Sequence, residues 1–193
     1  GSSGNDAGQS ITADNAGNVY IGGTITDSGP GVDFGTNHVV TVNLTDDFVA
    51  KYDSTGNCLW VVVIPTGQAR ECIVSHDAAG NVYVAGYFAF SAKFENTNFT
   101  SVGGLDIFVA KYNAAGQLLW ARKAGGTADD APTAVAVDAA GNVYVTGYFF
   151  SSLATFDGAT AVNVSPGSSD IFIAKYDAEG NVLWAHGQGG NSN

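Results

Sequence analysis

The apolar residues of this chain fall in short runs, four to a copy, and the copies return about every sixty residues. In the third copy the runs are residues 134–137, 143–149, 171–176 and 182–186, and β-branched or aromatic side chains dominate the first three. Runs of that length and composition predict strands. Residues 81–86 (NVYVAG) and 107–110 (IFVA) are apolar at odd and even positions alike. A free antiparallel sheet would turn one polar side to water, so these strands must be covered on both faces.

Polar punctuation separates the runs. The pattern Asp-x-x-Gly-Asn occurs at 14–18, 53–57, 77–81, 138–142 and 177–181, with NAAGQ at 113–117 as a near match. An Asp carboxylate at the head of such a turn accepts backbone N–H groups across it, and the Gly supplies the positive φ that returns the chain into the next strand. Two such turns in each copy predict two hairpins. Between them runs a longer connection with a weaker repeat, opening at Phe34-Gly35, Phe94-Glu95 and Phe156-Asp157 and closing at Val42, Val102 and Val164. This connection reads as an elaborated loop or a small extra hairpin.

The copies match at three marks. Residues 11–20 (ITADNAGNVY), 73–83 (IVSHDAAGNVY) and 134–144 (AVAVDAAGNVY) open them, and 46–52 (DDFVAKY), 106–112 (DIFVAKY) and 170–176 (DIFIAKY) stand at their middles. Trp60, Trp120 and Trp184 close them. Repeats of this size cannot bury their apolar faces alone and must stack. The expected division is 1–64, 65–124 and 125–193, within one continuous domain.

These residues resemble the bacterial repeats named for the seven-bladed β-propeller, whose pattern runs approximately Asp-x-x-Gly-Asn-x-Tyr-x-x-Gly, then Asp-x-Phe-x-x-Lys-Tyr, then Gly-Asn-x-x-Trp. The resemblance covers nearly the whole chain. It implies an all-β fold of three tandem four-stranded antiparallel blades, in a secreted or cell-surface bacterial protein. It implies no shared catalytic residue. A closed propeller takes about four to eight blades. Three therefore predict either a longer chain or a ring or stack completed by oligomerisation.

Composition narrows the partners. Seven Lys and Arg against 18 Asp and Glu give a formal net charge of −11, which repels the phosphates that dominate nucleic-acid affinity. No run is long enough for a membrane helix. Neither nucleic acid nor membrane insertion is expected. There is no signal-peptide pattern, so the chain reads as a mature form or an excised piece. Gly1-Ser2-Ser3-Gly4 reads equally as a cloning scar or native loop.

Candidate chemistry is sparse. Lys51, Lys111 and Lys175 hold one phase inside an apolar strand, so each is expected to snorkel or to meet a carboxylate. Asp46, Asp106 and Asp170 read as caps, with calcium bound through loop oxygens as the alternative. His38, His76 and His186 lie at unrelated phases and share no metal spacing. Cys58 and Cys72 stand where sister copies carry small or apolar residues. They read as packed thiols, with a disulfide as the alternative. Asn43, Asn98 and Asn163 fit the glycosylation sequon.

Two surfaces remain. Tyr87 and Tyr148 are placed to stack on a ligand or to pack between blades. Trp60, Val61, Val62, Val63 and Ile64 make the fourth strand of the first copy wholly apolar, where the others carry Arg122-Lys123 and Ala185-His186. An uncharged edge invites another chain. The expected function is a non-catalytic module for self-assembly, adhesion or protein interaction, whose partner is itself or another protein. The alternative is a glycan-binding, peptide-binding or lyase-type propeller with a site in the central channel. No cofactor is expected.

Overall fold

The computed structural model describes residues 4–26, 31–67, 71–165 and 167–190. Gly1 to Ser3 of the opening tetrapeptide, and Pro166 after the third sequon, lie outside them. Among the described residues there is no helix; the chain is all-β. β1 (Ala7–Ala13), β2 (Val19–Thr26), β3 (Val32–Phe34), β4 (Asn37–Val39), β5 (Thr45–Tyr52) and β6 (Cys58–Ile64) come first. They are followed by β7 (Cys72–His76), β8 (Val82–Phe94), β9 (Thr97–Tyr112) and β10 (Leu118–Gly125). The last are β11 (Asp130–Val137), β12 (Val143–Phe149), β13 (Leu153–Phe156), β14 (Ala159–Val162), β15 (Asp170–Tyr176) and β16 (Val182–Gln188).

Three antiparallel sheets result, ordered β1-β2-β5-β6, β7-β8-β9-β10 and β11-β12-β15-β16. The Asp-headed turns join their strands as the spacing predicts. Asp77 Oδ1 accepts the backbone N–H groups of Ala79 and Asn81, at 2.9 and 3.0 Å, and Oδ2 accepts the Asn81 side chain at 2.7 Å. Gly80 follows at φ +78°, a conformation in which a Cβ is unfavourable.

The long connections are hairpins. β3–β4, the outer ends of β8–β9, and β13–β14 each lay a phenylalanine on one of their own repeat. Phe34 on Phe48, Phe94 on Phe108 and Phe156 on Phe172 have ring centroids 4.9, 5.2 and 5.2 Å apart. The later two hairpins also reach the preceding sheet. Lys93 N–H donates to the Pro65 carbonyl at 2.9 Å, and β13 pairs with β10 through Ala124–Phe156 and Gly125–Thr155. The second sheet is therefore six-stranded, β14-β13-β10-β9-β8-β7, rather than the plain four-stranded unit expected. The cause is the exposed edge of β10, whose backbone groups are satisfied by the next repeat's hairpin.

The curled sheets pack face against face, as a propeller requires. Tyr20 and Val49 of the first sheet share one buried cluster with Val74, Val84 and Phe108 of the second. Tyr83, Ile107 and Val109 of the second share another with Val145 and Phe172 of the third. A smaller cluster gathers Val32, Phe34 and Val39 of the first hairpin against Phe48 and Ala50.

Candidate interaction surface

The junction between sheets is built twice to one plan. Trp60 Nε1 donates to the Ala114 carbonyl at 3.1 Å, and Trp120 Nε1 to the Ala178 carbonyl at 3.0 Å. Each acceptor is the second residue of the next sheet's second turn. Each indole also lies against the glycine of that turn: a Cβ at Gly116 would come within 2.9 Å of the Trp60 ring, and one at Gly180 within 2.6 Å of Trp120. Glycine is required there for space as well as for its positive φ.

Two of the repeated lysines, Lys51 and Lys111, belong to the same junctions. Tyr20 pairs with Lys51 across neighbouring strands, Tyr83 with Lys111 and Tyr144 with Lys175. The three ammonium groups lie 5.1, 5.1 and 5.0 Å from the centroids of those rings. Each tyrosine hydroxyl donates to the carboxylate heading its own turn: Asp14 at 3.1 Å, Asp77 at 2.9 Å and Asp138 at 3.1 Å. Lys51 and Lys111 are buried, and Lys111 Nζ also donates to the Ala178 carbonyl of the third sheet at 3.3 Å. The expected choice between snorkelling and a carboxylate partner gives way to a ring face, with the carboxylate one step removed. The shared phase of Lys and Tyr on adjacent strands was the signal for this pairing.

Asp46 caps its loop, accepting the Val42 and Asn43 N–H groups at 2.7 and 3.0 Å and that of Thr66 at 3.2 Å. Asp106 and Asp170 accept Val102 N–H at 3.0 Å and Val164 N–H at 2.7 Å. Burial raises the Asp106 carboxyl to about 6 and nearby Asp130 adds to the rise, while Val102 N–H and Lys123 oppose it. Asp106 lines a cavity of about 190 Å³ with Lys123, Thr155 and Asp157. That volume is smaller than sites that enclose an organic ligand. Among the described residues no three metal-ligating side chains converge.

A cavity of about 490 Å³ opens between the turns of the second and third sheets beside His76, Asp77, Tyr83, Lys111 and Asp138. Its two aspartates are already filled by turn hydrogen bonds, which lower both carboxyls. Saturated, ionised carboxylates are poor general acids or bases.

The histidines stand apart: His38 Nδ1 meets Asp33 at 2.6 Å, His76 stacks on Tyr20 and His186 on Trp184. Both cysteines are free thiols, Cys72 buried and Cys58 half-buried. Asn43 and Asn163 donate their side-chain amides to protein groups, and Asn98 is exposed.

The two predicted surfaces are placed differently. β6 is the outer strand of the first sheet, and its Trp60, Val61, Val62 and Val63 are half-buried while Ile64 is buried. Val61 and Val63 lean on the first hairpin's cluster, and Trp60 and Val62 on the second sheet's. Tyr87 is buried. Tyr148, half-buried, meets Phe150 edge to face at 6.0 Å. Neither tyrosine lines the cavity beside Asp77 and Asp138.

Sequence reasoning did not single out the face of the third sheet. Ile171 is 59% and Ile173 38% exposed, whereas their second-sheet counterparts Ile107 and Val109 are 0% and 1%. At the opposite end Ile11 is 69% exposed and its counterpart Val74 is 6%. The triplicated alignment marks these positions as equivalent, and among the described residues no further sheet covers the outer two faces.

Comparison with known proteins agrees with this architecture. Residues 119–148 match the family model of the beta-propeller repeat, SBBP. The chain is 25% identical over 224 residues to an uncharacterized WD repeat-containing protein of Acanthamoeba polyphaga mimivirus, covering 91% of this chain and 16% of that protein. It is 34% identical over 89 residues to the regulatory protein FlaEY of Caulobacter vibrioides, covering 46% of this chain and 9% of that protein. The chain thus spans less than a fifth of the length of these relatives.

Proposed function

We propose that this chain is a non-catalytic protein-interaction module, each of its three sheets serving as one propeller blade. The observation that carries the reading is the face of the third sheet, where Ile171 and Ile173 stand in water although the same positions are dry in the sheet before it. Exposed apolar area rimmed by polar residues is the usual mark of a protein contact. The beta-propeller repeat and the likeness to a WD repeat-containing protein support it, since such domains commonly mediate protein interaction. A place outside the cell or on its surface, and self-assembly of the kind that would complete a ring, belong to the same proposal.

A photo-crosslinking side chain in place of Ile173, in the protein as its host produces it, tests the reading. A covalent adduct to a protein is the expected result, with none from the same side chain at exposed Asn98. An adduct to carbohydrate, or none at all, would overturn it.

A further inference from the structure

We propose that a basic side chain of a partner protein, arginine or lysine, seats on the exposed ring of Phe90 with its charged head against Asp129. This rests on the reading of the chain as a protein-interaction module and adds a contact of stated chemistry, away from the third sheet's face.

Phe90 departs from the repeat in backbone, burial and residue type. It has φ +64°, it is 73% exposed, and it stands where the sister copies carry polar Asp27 and Ser151. A left-handed backbone is unfavourable for a bulky residue, and a ring left in water forfeits the burial that would offset the strain. Packing does not account for it. Strain of this kind gathers where a ligand is held. The strand register fixes the conformation: Ala89 pairs with Leu105 and Ser91 with Thr100, so residues 101–104 bulge opposite Phe90 alone. Its N–H donates to Ser101 Oγ at 3.1 Å.

The bulge borders an open groove of about 330 Å³ lined by Ala89, Phe90, Gly103, Gly104, Leu105 and Asp129. The glycines let the third repeat's loop lie on the second repeat: a Cβ at Gly103 would collide with the Thr127 backbone, and one at Gly104 with Asp129 Oδ1. Asp129 is held in place because Oδ1 accepts the Leu105 N–H at 3.0 Å, while no described residue donates to Oδ2. The groove thus lies within the molecule's own second junction rather than on an outer sheet face.

Its chemistry selects the occupant. The lining side chains offer a bare ring, aliphatic carbon and one carboxylate, with no donor and no cation. The matching group is positive and donor-only on an apolar stem, which describes lysine and arginine. A sugar would bring acceptors that no lining side chain satisfies, and an acidic segment is repelled by a chain of net charge −11. The molecule already uses this arrangement internally, with Lys111 on the Tyr83 ring and that ring beside Asp77. At Phe90 the chain supplies ring and carboxylate, and the partner supplies the cation.

The probe is the peptide acetyl-Gly-Arg-Gly-amide, titrated to about 20 mM into the nitrogen-15-labelled full chain and followed through its amide chemical shifts. Shifts should gather at residues 89–91, 103–105 and 129, with a Kd of about 1–10 mM. The lysine peptide should act alike, and the citrulline peptide, which keeps the shape and loses the charge, should bind about tenfold more weakly or worse. Asp129→Asn should weaken binding by a similar factor. Phe90→Asn suits the left-handed backbone, so it should keep or raise the thermal midpoint while binding is lost. Shifts absent from these residues, equal binding of the citrulline peptide, undiminished binding by either variant, or a lowered midpoint for Phe90→Asn would overturn the proposal. If it fails while the crosslinker at residue 173 still captures a protein, the interaction module stands and the Phe90 contact alone is lost.

Discussion

The ammonium of Lys111 lies 5.1 Å from the centre of the Tyr83 ring, and the hydroxyl of that ring donates to Asp77 at 2.9 Å. Cation, ring and anion form a line from the middle of one sheet to its turn. The same line recurs at Lys51-Tyr20-Asp14 and Lys175-Tyr144-Asp138. A lysine can therefore be tolerated inside an apolar strand, since the ring accepts its charge and the carboxylate polarises the ring.

Replacing that lysine should distinguish covered positions from open ones. Lys111→Met removes a buried cation–π contact and the bond to the Ala178 carbonyl, and should cost about 1–2 kcal/mol in urea unfolding. Lys175→Met, in the uncovered third sheet, should cost about half as much or less. Equal effects would show that burial does not set the strength of the contact.

The turn glycines should divide in the same manner. Gly116→Ala must accept a positive φ and push against the Trp60 indole, so a loss of about 2 kcal/mol or more is expected. Gly56→Ala meets only the backbone strain, about 1 kcal/mol. Chemical denaturation of the two variants measures the difference.

Stability should fall in acid through the turn carboxylates. Hydrogen bonds to Asn18 lead the lowering of Asp14 to about 2, and Asp53, Asp77, Asp138 and Asp177 are lowered through their own turn asparagines. Groups depressed in the folded state stabilise it above their ordinary pKa and lose that contribution as pH falls through the folded value. The thermal midpoint should therefore decline from about pH 4 toward pH 2. Asp138→Asn should make that decline shallower, and an unchanged acid limb would refute the assignment.

Asp47 should act in the opposite sense. It is fully buried, it stands where the other copies carry Ile107 and Ile171, and neither carboxylate oxygen has a hydrogen-bond partner. Burial raises its pKa well above the ordinary value and the Asp46 charge adds to the rise, while the Thr66 side chain opposes it. A group raised in the folded state costs stability as pH climbs past the unfolded value near 4. Asp47→Ile should stabilise the chain at neutral pH by about 1–3 kcal/mol and flatten that stretch of the pH profile. A destabilised variant would mean that the carboxyl has a role beyond packing.

By itself the sequence determined the local structure. Strands, Asp-headed turns and the extra hairpin were legible because each depends on residues a few positions apart: two-residue alternation, a carboxylate facing its own loop, and a glycine at positive φ. Stacking was legible too, since residues 82–85 and 107–110 are apolar on both faces and no isolated sheet tolerates that. Asp46, Asp106 and Asp170 read correctly as caps for the same local reason.

Only the tertiary structure decided how the copies are joined and which surfaces remain. The seating of each lysine on a tyrosine depends on strand register, and the lacing of β10 to β13 depends on a hairpin reaching past its own sheet. Neither distance is written in local spacing. The apolar run from Trp60 to Ile64 and the aromatics Tyr87 and Tyr148 look alike in sequence, yet Tyr87 is buried and the strand half-buried, while Ile171 and Ile173 stay wet. Burial belongs to the arrangement of the sheets, so identical motifs acquire different fates according to whether another sheet lies beside them.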